Sequence, residues 1–178
     1  MTIAISHILV PVDFSPQSVP SLEYAIALAA RFGASLELLH VIEDPATAGA
    51  WASEGAVLDV TEIRRALVDD AERRLVEYRK GFEHLNLPVV TTVRMGSAAR
   101  AIVDYAQAAG IDMIVMGTHG RGGFAHMFLG SVAECVVRHA SCPVVTVRDT
   151  GKRQTPAAVE VEGARLGSAL GHLGTSRE

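Results

Sequence analysis

The strongest constraint on this chain is an alternation of five short apolar runs with four amphipathic stretches. Residues 3–12 (IAISHILVPV), 34–42 (ASLELLHVI), 87–95 (LPVVTTVRM), 112–117 (DMIVMG) and 142–147 (CPVVTV) read as buried strands of the kind found in parallel sheets. The first helix opens at Ser15-Pro16 and stops at Gly33, with serine as cap, proline in the first turn and glycine as the left-handed stop. The second, over residues 61–82, repeats Ile63, Leu67, Ala71, Leu75, Tyr78 and Phe82 at three- and four-residue spacing. It carries acid-first pairs, Asp69 with Arg73 and Asp70 with Arg74, which predicts a solvated face and not a binding patch. The third starts after Ser97, turns Ile102, Tyr105, Ala106 and Ala109 to one side and ends at Gly110. The fourth covers Ser131 to Ala140. Strict β-α-β-α-β-α-β-α-β order implies right-handed crossovers and a doubly wound parallel α/β sheet covered on both faces. Such sheets bind ligands at the carboxyl ends of their strands.

At 178 residues, with 49% hydrophobic and 20% charged residues, the chain is long enough for one domain with a full core. That domain is expected over residues 1–148. From residue 149 aromatics vanish and glycines accumulate, predicting a flexible tail over 149–178. Gly163, Gly167 and Gly171 beside Leu166, Leu170 and Leu173 leave a close-packing helix as the alternative. The net charge of −4, from 16 basic and 20 acidic residues, is scattered without a basic stripe, which argues against nucleic acid as a partner. No signal-peptide pattern and no membrane-spanning apolar run is present. Cys135 and Cys142 form no metal or disulfide pattern. A cytoplasmic setting is expected.

The segment MGTHGRGGFAHMFLGSVAE, residues 116–134, concentrates glycines between a strand and a helix. It fails the G-x-x-x-x-G-K-[ST] phosphate loop, because no lysine lies between Lys80 and Lys152. It also fails the dinucleotide fingerprint, despite Gly120, Gly122 and Ala125, because its helix starts two turns too late and follows the fourth strand. Its own chemistry is that of a phosphate cradle. Ser131 and Glu134 spell a capping box, so the N–H groups at the start of the last helix would face an anion. Gly117 and Gly120 would turn the backbone with positive φ beside the ligand.

Gly117-x-x-Gly120, nine residues and Gly130-Ser131, together with HILVPVDFSPQS near the N-terminus and HASCPVVTVR at residues 139–148, resemble the universal stress protein family. The G-x-x-G-x9-G-[ST] motif is that of its ATP-binding subclass. The resemblance covers residues 3–148. It implies a five-stranded sheet of adenine-nucleotide-binding type in the order 3-2-1-4-5, a homodimer paired through the last strand, and a regulatory role under stress toward an unidentified partner protein. It further implies ATP with Mg2+ or Mn2+, the ion held mostly by phosphate and water, with Asp13 the one candidate side-chain ligand. Carried over by position, Pro11, Val12 and Asp13 floor the pocket, Val41 meets the adenine and Met116 and Gly117 close the end of strand four. Gly120 and Gly130 shape the loop, and Ser131 and Val132 meet the phosphates.

Plainer roles compete at several of these positions. Asp13 also suits a turn ahead of the first helix. Arg121 is either a phosphate neutraliser or a loop residue. His119 and His126 read as solvent-facing, His40 as a satisfied histidine within a strand, and Cys135 as inert packing. Ser15 and Ser97 read as caps with a weak secondary phosphate contact as the alternative. No nucleophile, base and orienter recur as a set, so a slow ATPase or an adenylyl-transferring enzyme is the second hypothesis. The S-G-G-x-D-S loop of such transferases is absent after strand one, where PVDFSPQS stands instead.

Overall fold

The computed structural model describes residues 4–44, 60–118 and 129–149. Five strands, β1 (His7–Pro11), β2 (Ser35–Ile42), β3 (Val89–Met95), β4 (Met113–Gly117) and β5 (Val144–Val147), alternate with four helices. The helices are α1 (Val19–Phe32), α2 (Val60–Lys80), α3 (Ala98–Ala108) and α4 (Ser131–His139). All strand pairs are parallel and the sheet order is β3-β2-β1-β4-β5, which is the expected doubly wound 3-2-1-4-5 sheet.

Alternate residues of the central strands feed two cores. Ile8, Val10, Leu36, Leu38 and Val115 pack with Leu22 and Ile26 of α1 and Leu75 and Tyr78 of α2. Leu9, Leu39, Ile114 and Met116 pack with Ile102 and Ala106 of α3 and Ala133 and Val136 of α4. Because β1 is flanked by β2 on one side and β4 on the other, the winding reverses between β1 and β4. A crevice therefore opens at their carboxyl ends, where neither crossover covers the sheet.

The strand expected over residues 3–12 is shorter, since its start is tied elsewhere. The Asp112 carboxylate accepts the Ser6 and His7 amides at 2.7 and 3.0 Å, fastening the entry of β1 to the turn before β4. Those two bonds, the larger cause, and the nearby His7 ring hold the Asp112 carboxyl below its ordinary pKa. At the first helix Ser15 does precede a helical turn, but that turn is a 3-10 segment, Pro16–Ser18, and α1 starts only at Val19. The Ser15 hydroxyl does not cap it; the hydroxyl donates to Asp13 Oδ1 instead. Gly33 is the left-handed stop of α1, at φ 68°. The expected tail lies outside the described residues apart from Asp149, as does most of the long loop read over residues 43–60.

Candidate functional site

The crevice at the switch point is a cleft of about 720 Å³, within the ~300–1,000 Å³ range of small-molecule sites. Nine of the positions singled out by sequence meet there. Pro11, Val12 and Asp13 come from the end of β1, Val41 from β2, Met116 and Gly117 from β4, and Gly130, Ser131 and Val132 from the start of α4. Gly120 and Arg121 lie outside the described residues, as do His119 and His126.

The anion-favouring end is α4. Its cap is Gly130, with φ −68° and ψ 154°, so Ser131 is the first helical residue and the expected Ser131–Glu134 capping box is not formed. The Gly130 carbonyl accepts the Glu134 amide at 2.9 Å, while the Glu134 carboxylate turns outward to Arg138 at 2.7 Å. A glycine cap has no side chain to spend on the first turn. The amides of Ser131, Val132 and Ala133 thus precede the first intrahelical bond and are left for an outside acceptor. Gly117 departs from expectation too. It stays in the β4 ladder opposite Val147, and the left-handed glycines among the described residues are Gly33, Gly96 and Gly110.

The base of the glycine loop is closed by backbone bonds. The Thr118 amide donates to the Val147 carbonyl at 3.0 Å, and the Gly130 amide donates to the Thr118 carbonyl at 2.7 Å. Residues 118 and 130 are thereby clamped together beside the cleft.

Under β1, Asp13 is a turn residue. Its Oδ1 accepts both the Ser15 amide at 2.9 Å and the Ser15 hydroxyl at 2.6 Å, an Asx-type arrangement. That turn forces Phe14 into left-handed backbone, φ 61°, which a bulky side chain adopts only when its surroundings hold it there. They do so through its ring. His40 lies 4.3 Å from the Phe14 centroid, Tyr78 meets its edge at 5.4 Å, and the Arg74 guanidinium sits 4.1 Å above it. His40 Nδ1 is 2.7 Å from the Val12 carbonyl oxygen, so this histidine is satisfied as expected while also lining the cleft. Burial, the larger effect, pushes the Tyr78 phenol above its ordinary pKa.

Helix α2 corrects one expectation. Leu67, Asp70, Ala71 and Arg74 line the cleft, so part of the charged face read as solvated borders the candidate site. A signal existed, since Arg74 is one position before Leu75 and four before Tyr78 on the apolar stripe. Phe14 was likewise missed, because a phenylalanine after Asp13 reads as core packing. The cleft's far walls, Ala98 and Ile102 of α3 with Met116 and Val132, are apolar. At the exit of β2, Arg64 grips Asp44 in a forked ion pair at 2.7 and 2.9 Å, fixing the chain where it leaves for residues 45–59.

Ser97 occupies the cap position of α3, its carbonyl accepting the Ala101 amide at 2.9 Å, without a side-chain capping bond. Cys135 faces His139 along α4, its Sγ 3.6 Å from Nδ1. No described helix is long and apolar enough to cross a membrane.

Comparison with other proteins agrees with this architecture. A model of the universal stress protein family matches residues 4–148. The universal stress protein MJ0531 of Methanocaldococcus jannaschii is 32% identical over 145 residues, covering 82% of this chain and 83% of that one. The solved structure of MJ0577 from the same organism aligns with a TM-score of 0.73 at 26% identity, over 84% of this chain and 100% of that one. The universal stress protein UspA of Lactobacillus plantarum aligns with a TM-score of 0.68 at 30% identity, over 83% and 100%. With the fold, the cleft and a family match spanning nearly the whole described chain in agreement, this protein belongs to the universal stress protein family.

Proposed function

We propose that this chain is a nucleotide-dependent regulator that holds ATP in the cleft between β1 and β4. The adenine lies against Val41 and the apolar wall, Pro11, Val12 and Asp13 form the floor, and the phosphate chain meets the amides of Ser131 and Val132. Gly120, Gly130 and Arg121 belong to the loop that closes over the phosphates, and its conformation, ordered by nucleotide, is the output read by a partner protein. What supports this is the meeting of two chemistries in one cleft: unspent helix N-terminal amides behind a glycine cap, and an apolar wall of a size suited to a base.

The donor set suits a phosphate chain, since amides at a helix N-terminus bring partial positive charge without a side chain. A Mg2+ or Mn2+ ion accompanying the nucleotide is held chiefly by phosphate and water. No arrangement of nucleophile and base among the described residues favours a dedicated hydrolase, and turnover is expected well below about 1 s⁻¹, the lower end of ordinary enzyme rates. The partner-facing form is a homodimer joined through β5, an edge strand of the sheet.

Titration calorimetry with ATP tests the site directly, alongside mass spectrometry of any ligand released from freshly purified protein. One ATP per chain is expected, with unfolding stability raised by about 2.7 kcal/mol when free ATP is a hundredfold above Kd. Absence of any adenine nucleotide from both measurements would overturn the proposal.

A further inference from the structure

Arg74 is the only lysine or arginine among the described residues that line the cleft. Its position is built by contacts on two elements. The guanidinium rests 4.1 Å above the Phe14 ring, whose left-handed backbone is set by the Asp13–Ser15 turn. The ring in turn lies against His40 of β2. A guanidinium held by an aromatic face spends none of its five N–H donors, because the attraction runs through the π face and the donors lie in the guanidinium plane. Of the carboxylates that line the cleft, Asp70 on the same helix is paired with Arg73 at 3.1 Å and Asp13 holds the Ser15 amide and hydroxyl. Among the described residues no carboxylate forms an ion pair with Arg74.

Arg74 and the α4 amides also stand on opposite faces of the sheet. Leu75 and Tyr78, its neighbours on α2, pack in the core beneath α1 and α2, whereas Ala133 of α4 packs in the core of the other face. A ligand that reaches both must cross the carboxyl edge of β1 and β4. It would carry negative charge at two separated points, with a neutral body between them.

We propose that Arg74 forms a second anion subsite, and that the cleft accepts nucleotides bearing a further phosphate on the ribose, at the 2′ or 3′ position, in addition to the 5′ phosphates at α4. This inference rests on the nucleotide reading of the site and extends it to the class of nucleoside bisphosphates. The second phosphate takes the in-plane donors of Arg74 as a fork, while the stack on Phe14 keeps the guanidinium from following the phosphate into solvent.

Calorimetry on the full chain with AMP, adenosine 2′,5′-bisphosphate and adenosine 3′,5′-bisphosphate tests the proposal. At least one bisphosphate should bind about tenfold more tightly than AMP, with an advantage that shrinks as salt is raised. In Arg74→Gln the ratio of the two affinities should fall to about one. Arg74→Lys, which keeps the charge and loses the fork, should retain only part of the ratio, and circular dichroism on both variants checks that α2 remains folded. If AMP binds and neither bisphosphate binds more tightly, the second subsite is wrong and the nucleotide site stands. An affinity ratio that survives in Arg74→Gln also overturns the assignment to Arg74. If ATP, AMP and both bisphosphates all fail to bind, the nucleotide reading fails and takes this inference with it.

Discussion

Asp13 illustrates how one side chain can be fixed by local geometry before any ligand arrives. Its Oδ1 holds the Ser15 amide and hydroxyl, so Asp13→Ala should lower stability by about 1–2 kcal/mol, the cost of stranding two partners. Asp13→Asn keeps an acceptor at the same place and should change the unfolding free energy from urea titration by less than about 0.5 kcal/mol. Equal losses in the two variants would mean that charge, not the acceptor, holds the turn. Asp112 is the residue with a pH signature. Its carboxyl is held below the ordinary value by the Ser6 and His7 amides, so its contribution is full above the unfolded-state pKa, about 3.9. That contribution is lost as pH falls through the folded value. Relative to Asp112→Ala, the native chain should therefore gain stability at neutral pH, and the gap should close in urea titrations below about pH 4. Asp13 was readable from sequence as a turn residue as well as a pocket residue, because its partner lies 2 residues on; the partners of Asp112 lie 106 and 105 residues away, out of reach of turn chemistry.

Among the elements, α4 separates what pattern can and cannot show. Its start after the glycine loop was legible, because the apolar periodicity and Gly130-Ser131 mark it. The identity of its cap was not. Ser and Gly are both acceptable at that position, and the choice was made by the Thr118 carbonyl, which draws in the Gly130 amide at 2.7 Å and leaves Ser131 one step inside the helix. A consequence follows for Gly130→Asp. Its φ is negative, so a side chain is tolerated by the backbone, and the new carboxylate would cap the first turn. Helix stability should rise by about 1 kcal/mol, while ATP affinity falls at least tenfold because the same amides are occupied. A thermal melt moving up together with weakened calorimetric binding is the expected pair of results; undiminished binding would remove α4 from the site. Helix α2 shows the reverse limit. Its existence was plain, but the acid-first pairing of Asp70 with Arg74 assigned Arg74 to the solvated face, whereas the Phe14 ring holds its guanidinium at the cleft.

At the scale of the molecule, the alternation of strands and helices pointed to a doubly wound parallel sheet, while the strand order, which alternation leaves open and the family resemblance implied, places the cleft between β1 and β4. Assembly is a separate question that pattern does not reach, because an edge strand is defined by which neighbour is missing. In β5 the Pro143 and Val147 carbonyls accept from Ile114 and Thr118 of the β4 side. By the alternation of a parallel ladder, the Val144 and Thr146 amides then face the open edge. Thr146→Pro removes one outward donor and leaves the bonds to β4 intact, as edge positions permit. If β5 joins two copies, sedimentation should show a dimer for the native chain and a shift toward monomer for this variant. A dimer of unchanged strength would place the interface elsewhere.

The clamp between Thr118 and Gly130 carries a consequence for how this family member could diversify. Since the Thr118–Val147 and Gly130–Thr118 bonds at the ends of the glycine loop run through backbone alone, a change of side chain over residues 119–128 leaves both bonds available, while Leu129 is tied to the core of α3 and α4 by its packing. Doubling the length of such a closed excursion costs only about 0.6 kcal/mol in chain entropy. The sheet and the last helix then act as a fixed socket, and the stretch between them as an interchangeable insert through which one scaffold can acquire new recognition by substitution, duplication or grafting.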